Sequence, residues 1–231
     1  TAMNILEIAA DLARSQAPAG TPGTITPVHV AEAVQKKTIL YDRAGDAHYH
    51  TVSAFIKAMR GSDPDAALFY AVKMLEAGED PIFLLRRMVI FASEDVGNAD
   101  PQALVVATAA LQAFTLMGLP EGVLPITQAI AYLATAPKSN ATFMAYGRAR
   151  KDVLQFGHLP VPRRLVNASS ALAKGLGYGR GYKYPHNFEG HYVPERYLPD
   201  RIRDHVYYEP SDQGHEQVIG ERLRQWRSKS E

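Results

Sequence analysis

Cysteine is absent from the 231 residues, which excludes a disulfide framework, thiolate zinc sites, iron–sulfur clusters and cysteine nucleophiles together. That fits a reducing cytosol. No run approaches the ~18–20 consecutive apolar residues of a spanning helix, so no membrane partner is expected. The N-terminus lacks a basic region followed by an apolar stretch and a cleavage site, and the expected location is cytoplasmic. Asn140-Ala141-Thr142 and Asn167-Ala168-Ser169 match the glycosylation pattern, but without export they carry no weight.

Catalytic signatures are missing as well. A Walker loop needs glycines followed by Lys-Ser/Thr to cradle phosphates, and no stretch has that spacing. There is no Gly-x-Ser-x-Gly elbow for a hydrolase. Gly175-Leu176-Gly177-Tyr178-Gly179-Arg180-Gly181 is glycine-rich, but it lacks dinucleotide-binding spacing and a preceding strand, so it reads as a helix end running into a turn. His48-Tyr49-His50 sets two imidazoles two residues apart, which on a helix does not aim both at one metal. Leu85–Asp95 ends acidic like a metal-holding strand, yet it sits on an expected helix. No catalytic residue, metal ligand or cofactor site is expected in this segment.

What the sequence does contain is helix punctuation. Gly61-Ser62-Asp63-Pro64, Gly78-Glu79-Asp80-Pro81 and Gly97-Asn98-Ala99-Asp100-Pro101 each end one helix and start the next: Gly tolerates the left-handed position, Asp caps, and Pro fits the first turn. The predicted helices are about Pro64–Ala77, Pro81–Val96 and Pro101–Met117, joined by turns so short that neighbours run nearly antiparallel. Val52, Phe55, Ile56 and Met59 make a core-facing stripe opposite Lys57 and Arg60, and Ile5, Ile8, Ala9 and Leu12 make another. Ala17 to Thr24 is a Pro/Gly-rich loop, after which Thr26-Pro27 caps a short helix. Further helices are expected near Pro125–Thr135, Asn140–Phe156, Asn167–Lys174 and Gln213–Lys229, the last carrying Ile219, Leu223 and Trp226. Between Gly175 and Leu198, Tyr178, Tyr182, Tyr184, Phe188 and Tyr192 mark an extended arm that should pack on something. The fold class is all-α: helical hairpins in a bundle, with a Gly/aromatic-rich arm.

Net charge is +1, but Lys138, Arg148, Arg150, Lys151, Arg163, Arg164, Lys174, Arg180 and Lys183 face the single acid Asp152 within residues 138–183. Asp63 to Asp100 holds eight acids against three bases. Two readings stay open for those nine residues. They neutralise DNA phosphates, with Phe143, Tyr146, Phe156, Tyr178 and Tyr182 available for stacking, or they meet the acidic segment of another copy. A helical-repeat, peptide-binding scaffold would follow from the 37-residue spacing between Asp63 and Asp100, but the spacing does not continue.

Taken in order, several stretches resemble the bacterial RarA (MgsA) family of AAA+ ATPases, related to Werner-helicase-interacting protein. They are Tyr41 to Tyr49 (YDRAGDAHY), Arg60 to Ala67 (RGSDPDAA), Ala92 to Pro101 (ASEDVGNADP), Tyr132 to Ala141 (YLATAPKSNA), and Gly177-Tyr178-Gly179 with Tyr182-Lys183-Tyr184. The resemblance implies that 1–38 ends an AAA+ lid, that 39–96 is a helical region after it, that 97–208 is a tetramerisation domain with the arm, and that 209–231 is a helical tail. It implies a non-catalytic homotetramerising collar, with ATP and Mg in an ATPase core preceding Thr1. It further implies DNA and single-strand-binding protein as partners in replication-fork rescue, recombination and repair, and a nucleoid-associated location. Phe188 to Arg196 is the least family-like part.

Overall fold

The computed structural model describes residues 2–17, 21, 23–38 and 46–228. Positions 18–20 and 22 of the expected Pro/Gly-rich loop, positions 41–45 of the first family-like stretch, and Lys229 lie outside the described residues. Every regular element among the described residues is helical, as the punctuation and stripes predict. The chain forms two compact units that alternate along the sequence: Thr1–Ala92 with Leu104–Ala136, and Ser93–Ala103 with Pro137–Glu231.

In the first unit α1 (Ala2–Gln16) packs on α2 (Pro27–Thr38). Thr26 starts α2 by accepting from the His29 amide at 3.4 Å. The His29 ring accepts from Thr26 N at Nδ1 (3.1 Å), which leaves Nε2 to donate to Gln16 Oε1 at 2.9 Å and ties the end of α1 to the start of α2.

Then come α3 (Asp46–Arg60), α4 (Pro64–Glu76) and α5 (Pro81–Phe91). Asp63 accepts from Ala66 N and Asp80 from Ile82 N, both at 2.9 Å, with Pro at the first helical position each time. Such caps contribute about 1 kcal/mol each. Gly78, at φ +79, closes α4 so that Glu79 N reaches Met74 O at 2.9 Å.

The predicted helix Pro81–Val96 stops early as an α-helix. Its last turn, Ala92–Val96, widens to a π-helix and runs into a 3₁₀ turn at Gly97–Ala99. The Asp95 carbonyl accepts from Ser139 N at 2.8 Å, and Gly97 adopts φ +53 with space for a Cβ only 3.0 Å from Ser139 O. A tertiary contact thus replaces the next turn of helix.

Helices α6 (Gln102–Met117) and α7 (Val123–Thr135) follow. α3 packs on α4 and α7, and α7 also meets α4 and α5. The core of this unit is Phe55, Met59, Met74, Leu84, Leu85, Met88, Phe91, Ile126, Ile130 and Leu133, all fully buried. Each large apolar side chain withdrawn from water contributes roughly 1.5–3 kcal/mol.

The second unit has α8 (Ala141–Phe156), a short α9 (Ala171–Gly175) and α10 (Glu216–Ser228). α9 is shorter than the expected Asn167–Lys174 because Ser170, in extended conformation, caps it by accepting from Ala173 N at 3.1 Å. Residues 175–198 contain two 3₁₀ turns and otherwise extended or turning chain. Tyr192 stacks on Trp226 of α10 with centroids 5.5 Å apart and planes 7° from parallel, and its hydroxyl donates to Trp226 O at 2.7 Å.

Two substitutions should have opposite signs. Leu84→Ala hollows a fully buried site and should cost about 2–5 kcal/mol in urea unfolding. Gly147→Ala adds a Cβ where nothing lies within 4 Å in the middle of α8 and should stabilise by up to about 1 kcal/mol.

Candidate functional site

The second unit is organised around a carboxylate. Glu216, the first residue of α10, has no exposed surface. It accepts from the Ser139 hydroxyl at 2.6 Å, Ser211 N at 2.7 Å and the Tyr208 hydroxyl at 2.9 Å. Tyr208 in turn accepts from Asn98 Nδ2 at 3.2 Å. Gly214, at φ +50, brings the chain so close to Ala99 that His215 N donates to Ala99 O at 2.7 Å, where an added Cβ would stand 2.2 Å from that oxygen. Three segments distant in sequence, 95–99, 137–142 and 208–216, are thereby joined at one charged group.

Burial alone would raise the Glu216 pKa, but the donors Ser139, Ser211 and Tyr208 outweigh it and hold the carboxyl below its usual range. Burial first, and then the bond to Glu216, push the Tyr208 phenol up. Beside this network burial lowers the Lys138 ammonium, against the opposing pull of Asp95.

A second carboxylate, Asp152 on α8, fixes the chain before α10. It accepts from Tyr207 at 2.7 Å and faces His205 Nδ1 at 2.5 Å, and these two bonds keep its pKa low. Burial and the same bond push Tyr207 up to about 12.

The nine basic residues divide. Lys138 lies against Asp95, Arg148 binds Glu209 and donates to Tyr207 O at 3.1 Å, and Arg164 and Lys183 flank Glu195 at 3.7 and 3.3 Å. Arg150, Lys151, Arg163, Lys174 and Arg180 are exposed and make no ion pair among the described residues. Arg163 and Arg180 belong to one folded loop, because Gly179 N donates to Arg163 O at 3.0 Å and Arg180 N to Gly177 O at 3.3 Å. The aromatics divide too: Phe143 and Tyr146 are exposed on α8, whereas Phe156 lies under Arg201, whose guanidinium carbon is 4.8 Å from the ring centroid.

Several acids meant to answer them have local tasks. Asp63 and Asp80 cap helices, as does Asp100 by accepting from Gln102 N at 3.0 Å, while Glu79 faces His48 at 3.0 Å. His48 therefore faces Glu79 between helix ends. Among the described residues no group of three or more His, Cys, Asp or Glu side chains is placed to hold a metal ion, and no helix is long and apolar enough to cross a membrane. Sequence reasoning passed over Glu216, Tyr208 and Ser211; the available signal was that Asn98 and Ser139 fall inside two of the family-like stretches.

An all-helical segment that joins three distant stretches at a buried carboxylate can be compared with known proteins. Residues 61–227 match the family model described as MgsA AAA+ ATPase C terminal, and residues 1–60 match the AAA C-terminal domain. The chain belongs to the RarA/MgsA family of AAA+ ATPases. It is 42% identical to the replication-associated recombination protein A of Escherichia coli K12, covering 96% of this chain and 49% of that protein. An uncharacterized AAA domain-containing protein of Mycobacterium tuberculosis is 44% identical over 98% of this chain and 49% of its own length. The ATPase WRNIP1 of Dictyostelium discoideum is 39% identical over 80% of this chain and 21% of its own. The chain spans about half the length of the bacterial relatives it matches.

Because the folded Glu216 pKa lies below the ordinary carboxylate value, its stabilisation is complete above that ordinary value and is lost as pH falls through the folded pKa. In an acid titration followed by Trp226 fluorescence, the wild type should lose stability below about pH 4.5 more steeply than Glu216→Gln. That variant should be less stable by about 1–3 kcal/mol at pH 7.

Proposed function

We propose that this chain is the homo-oligomerisation segment, forming a tetramer, of a RarA-like ATPase. The whole protein would hydrolyse ATP with Mg in a core preceding Thr1 and act on DNA in replication, fork rescue and recombination, in the cytoplasm at the nucleoid. The observation that carries this is α6. Its sixteen residues include no charge, and Val105 and Leu116 stand 56% and 88% exposed on it, with Leu104 beside them.

A helix with no charge on any face belongs in an interior. Its two threonine side chains are also prepared for burial: Thr108 donates to Leu104 O at 2.8 Å and Thr115 to Leu111 O at 2.7 Å. Hydroxyls satisfied by their own helix carry little desolvation penalty when a partner covers them. Leu119 and Leu124 extend the apolar surface onto the following turn and α7. A closed assembly of identical copies is the ordinary way to cover such a surface. Light scattering after size-exclusion chromatography should give about 102 kDa, four copies of the 25.4 kDa chain, independent of concentration. The double variant V105E/L116E should give a folded, smaller species; a wild type that runs as a monomer at every concentration rejects the reading.

The five exposed cations that make no ion pair among the described residues favour a second role, guiding single-stranded DNA toward the ATPase core, with single-strand-binding protein as a further partner. If all five meet phosphates, affinity for a poly-dT oligonucleotide should fall about 100-fold between 50 and 200 mM salt. Charge reversal at Arg150 and Lys151 should flatten that dependence without changing the mass of the assembly. No binding at 50 mM salt would reject this role and leave the oligomer reading intact.

A further inference from the structure

The arm of the second unit brings two histidine rings together in the open. The centroids of His186 and His191 lie 4.9 Å apart, with planes inclined at 48°. Both residues are exposed, and neither ring makes a hydrogen bond or ion pair among the described residues. Burial does not hold them there, and the tilt is not the near-parallel stack that Tyr192 and Trp226 make at 7°. Backbone holds them instead. Phe188 N donates to Pro185 O and His191 N to Phe188 O, both at 3.0 Å, in two successive 3₁₀ turns, Pro185–Asn187 and Glu189–His191. Gly190 at φ +63 and His191 at φ +52 fold the chain back. Residues with a side chain seldom occupy that left-handed region, and such backbone collects at ligand sites. Tyr184 backs the pair, its ring centroid 5.0 Å from that of His186.

We propose that His186 and His191 together bind one divalent transition-metal ion of the zinc, copper or nickel class, with water in the remaining positions. Imidazole is the donor such ions take. An ion about 2.0–2.1 Å from one nitrogen of each ring lies ~3.2 Å from each ring centre, and a coordination angle of about 90–110° then sets the centres roughly 4.5–5.2 Å apart. The observed 4.9 Å falls within that interval. Local charge favours a dication: Glu189, in the same turn as His191, is exposed with no ion pair among the described residues, and the cation nearest in sequence, Lys183, is drawn to Glu195 at 3.3 Å. Magnesium takes oxygen ligands, so the site is distinct from any that ATP would bring. The bound ion pins one 3₁₀ turn of the arm to the next. This inference depends neither on the assembly nor on DNA binding.

The test is a calorimetric titration of the whole chain with zinc chloride, in a buffer free of chelators that contains millimolar magnesium. One zinc ion per chain should bind. His186→Ala and His191→Ala should each weaken binding about tenfold or more, and the double variant little further, because either loss already breaks the chelate. His158→Ala, which removes an exposed imidazole outside the arm, should change nothing, and circular dichroism should be the same in all variants. Absence of zinc binding below millimolar concentration overturns the proposal, as does an equal loss in His158→Ala. Single variants that reduce the number of bound ions at unchanged affinity would show separate lone imidazoles and overturn it too. So would a rise in mass with zinc in light scattering that either single variant abolishes, since the two ligands would then belong to different copies.

Discussion

The second unit depends on one buried negative charge. Its apolar interior is sparse: Val96, Ala99, Val193 and Ile202 are among the few buried aliphatic side chains, and α8 buries none of its own residues. What joins its segments is the Glu216 carboxylate, which gathers Ser139, Ser211 and Tyr208 and through Tyr208 reaches Asn98. A hydrophobic core tolerates substitution of one aliphatic by another, since area sets its strength. A buried carboxylate does not, because each missing donor leaves a desolvated charge unanswered. The price of that arrangement is exact geometry, visible where Gly214 approaches Ala99 more closely than any side chain would allow.

The first unit is held by the opposite means. Phe55, Phe91 and a set of Leu, Ile and Met side chains fill its interior, and polar groups appear mainly at helix ends as caps. This division explains why its helices were legible from sequence. Punctuation by Asp-Pro is local chemistry, and the stripe Val52, Phe55, Ile56, Met59 needs only helical period to be seen. Of that stripe Phe55 and Met59 are completely enclosed, while Lys57 and Arg60 are exposed but line the same cleft as Val52 and Ile56 instead of the opposite face.

The candidate site was legible only in part, and the reason is distance along the chain. Composition singles out nine cations in residues 138–183, but whether a cation is answered depends on acids far away: Glu209 for Arg148, Glu195 for Arg164 and Lys183, Asp95 for Lys138. Nothing in local spacing reveals those pairings. The same holds for Glu216, separated from Ser139 by seventy-seven positions. α9 failed for a local reason instead: Ser170 competes for Ala173 N, so the helix starts where its cap is satisfied and not where helix-compatible residues begin. The π turn after α5 has a tertiary cause, the Ser139 amide claiming the Asp95 carbonyl.

These pairings also alter what charge polarity means for assembly. Considered as a string, an acidic segment and a basic one invite mutual attraction between copies. Folded, three of the acids cap helices and another faces a histidine, so their carboxylates are held by neighbours within the same chain. An exposed ion pair formed across an interface contributes little once solvent screening is counted. Apolar surface does not suffer that loss, and α6 exposes it on a helix whose threonine hydroxyls are already bonded to their own backbone. In the proposed assembly area therefore outweighs charge as the cause of association, and the cations of the second unit that make no ion pair among the described residues are left for the proposed second ligand, a phosphate backbone whose charge is dense enough to release counterions.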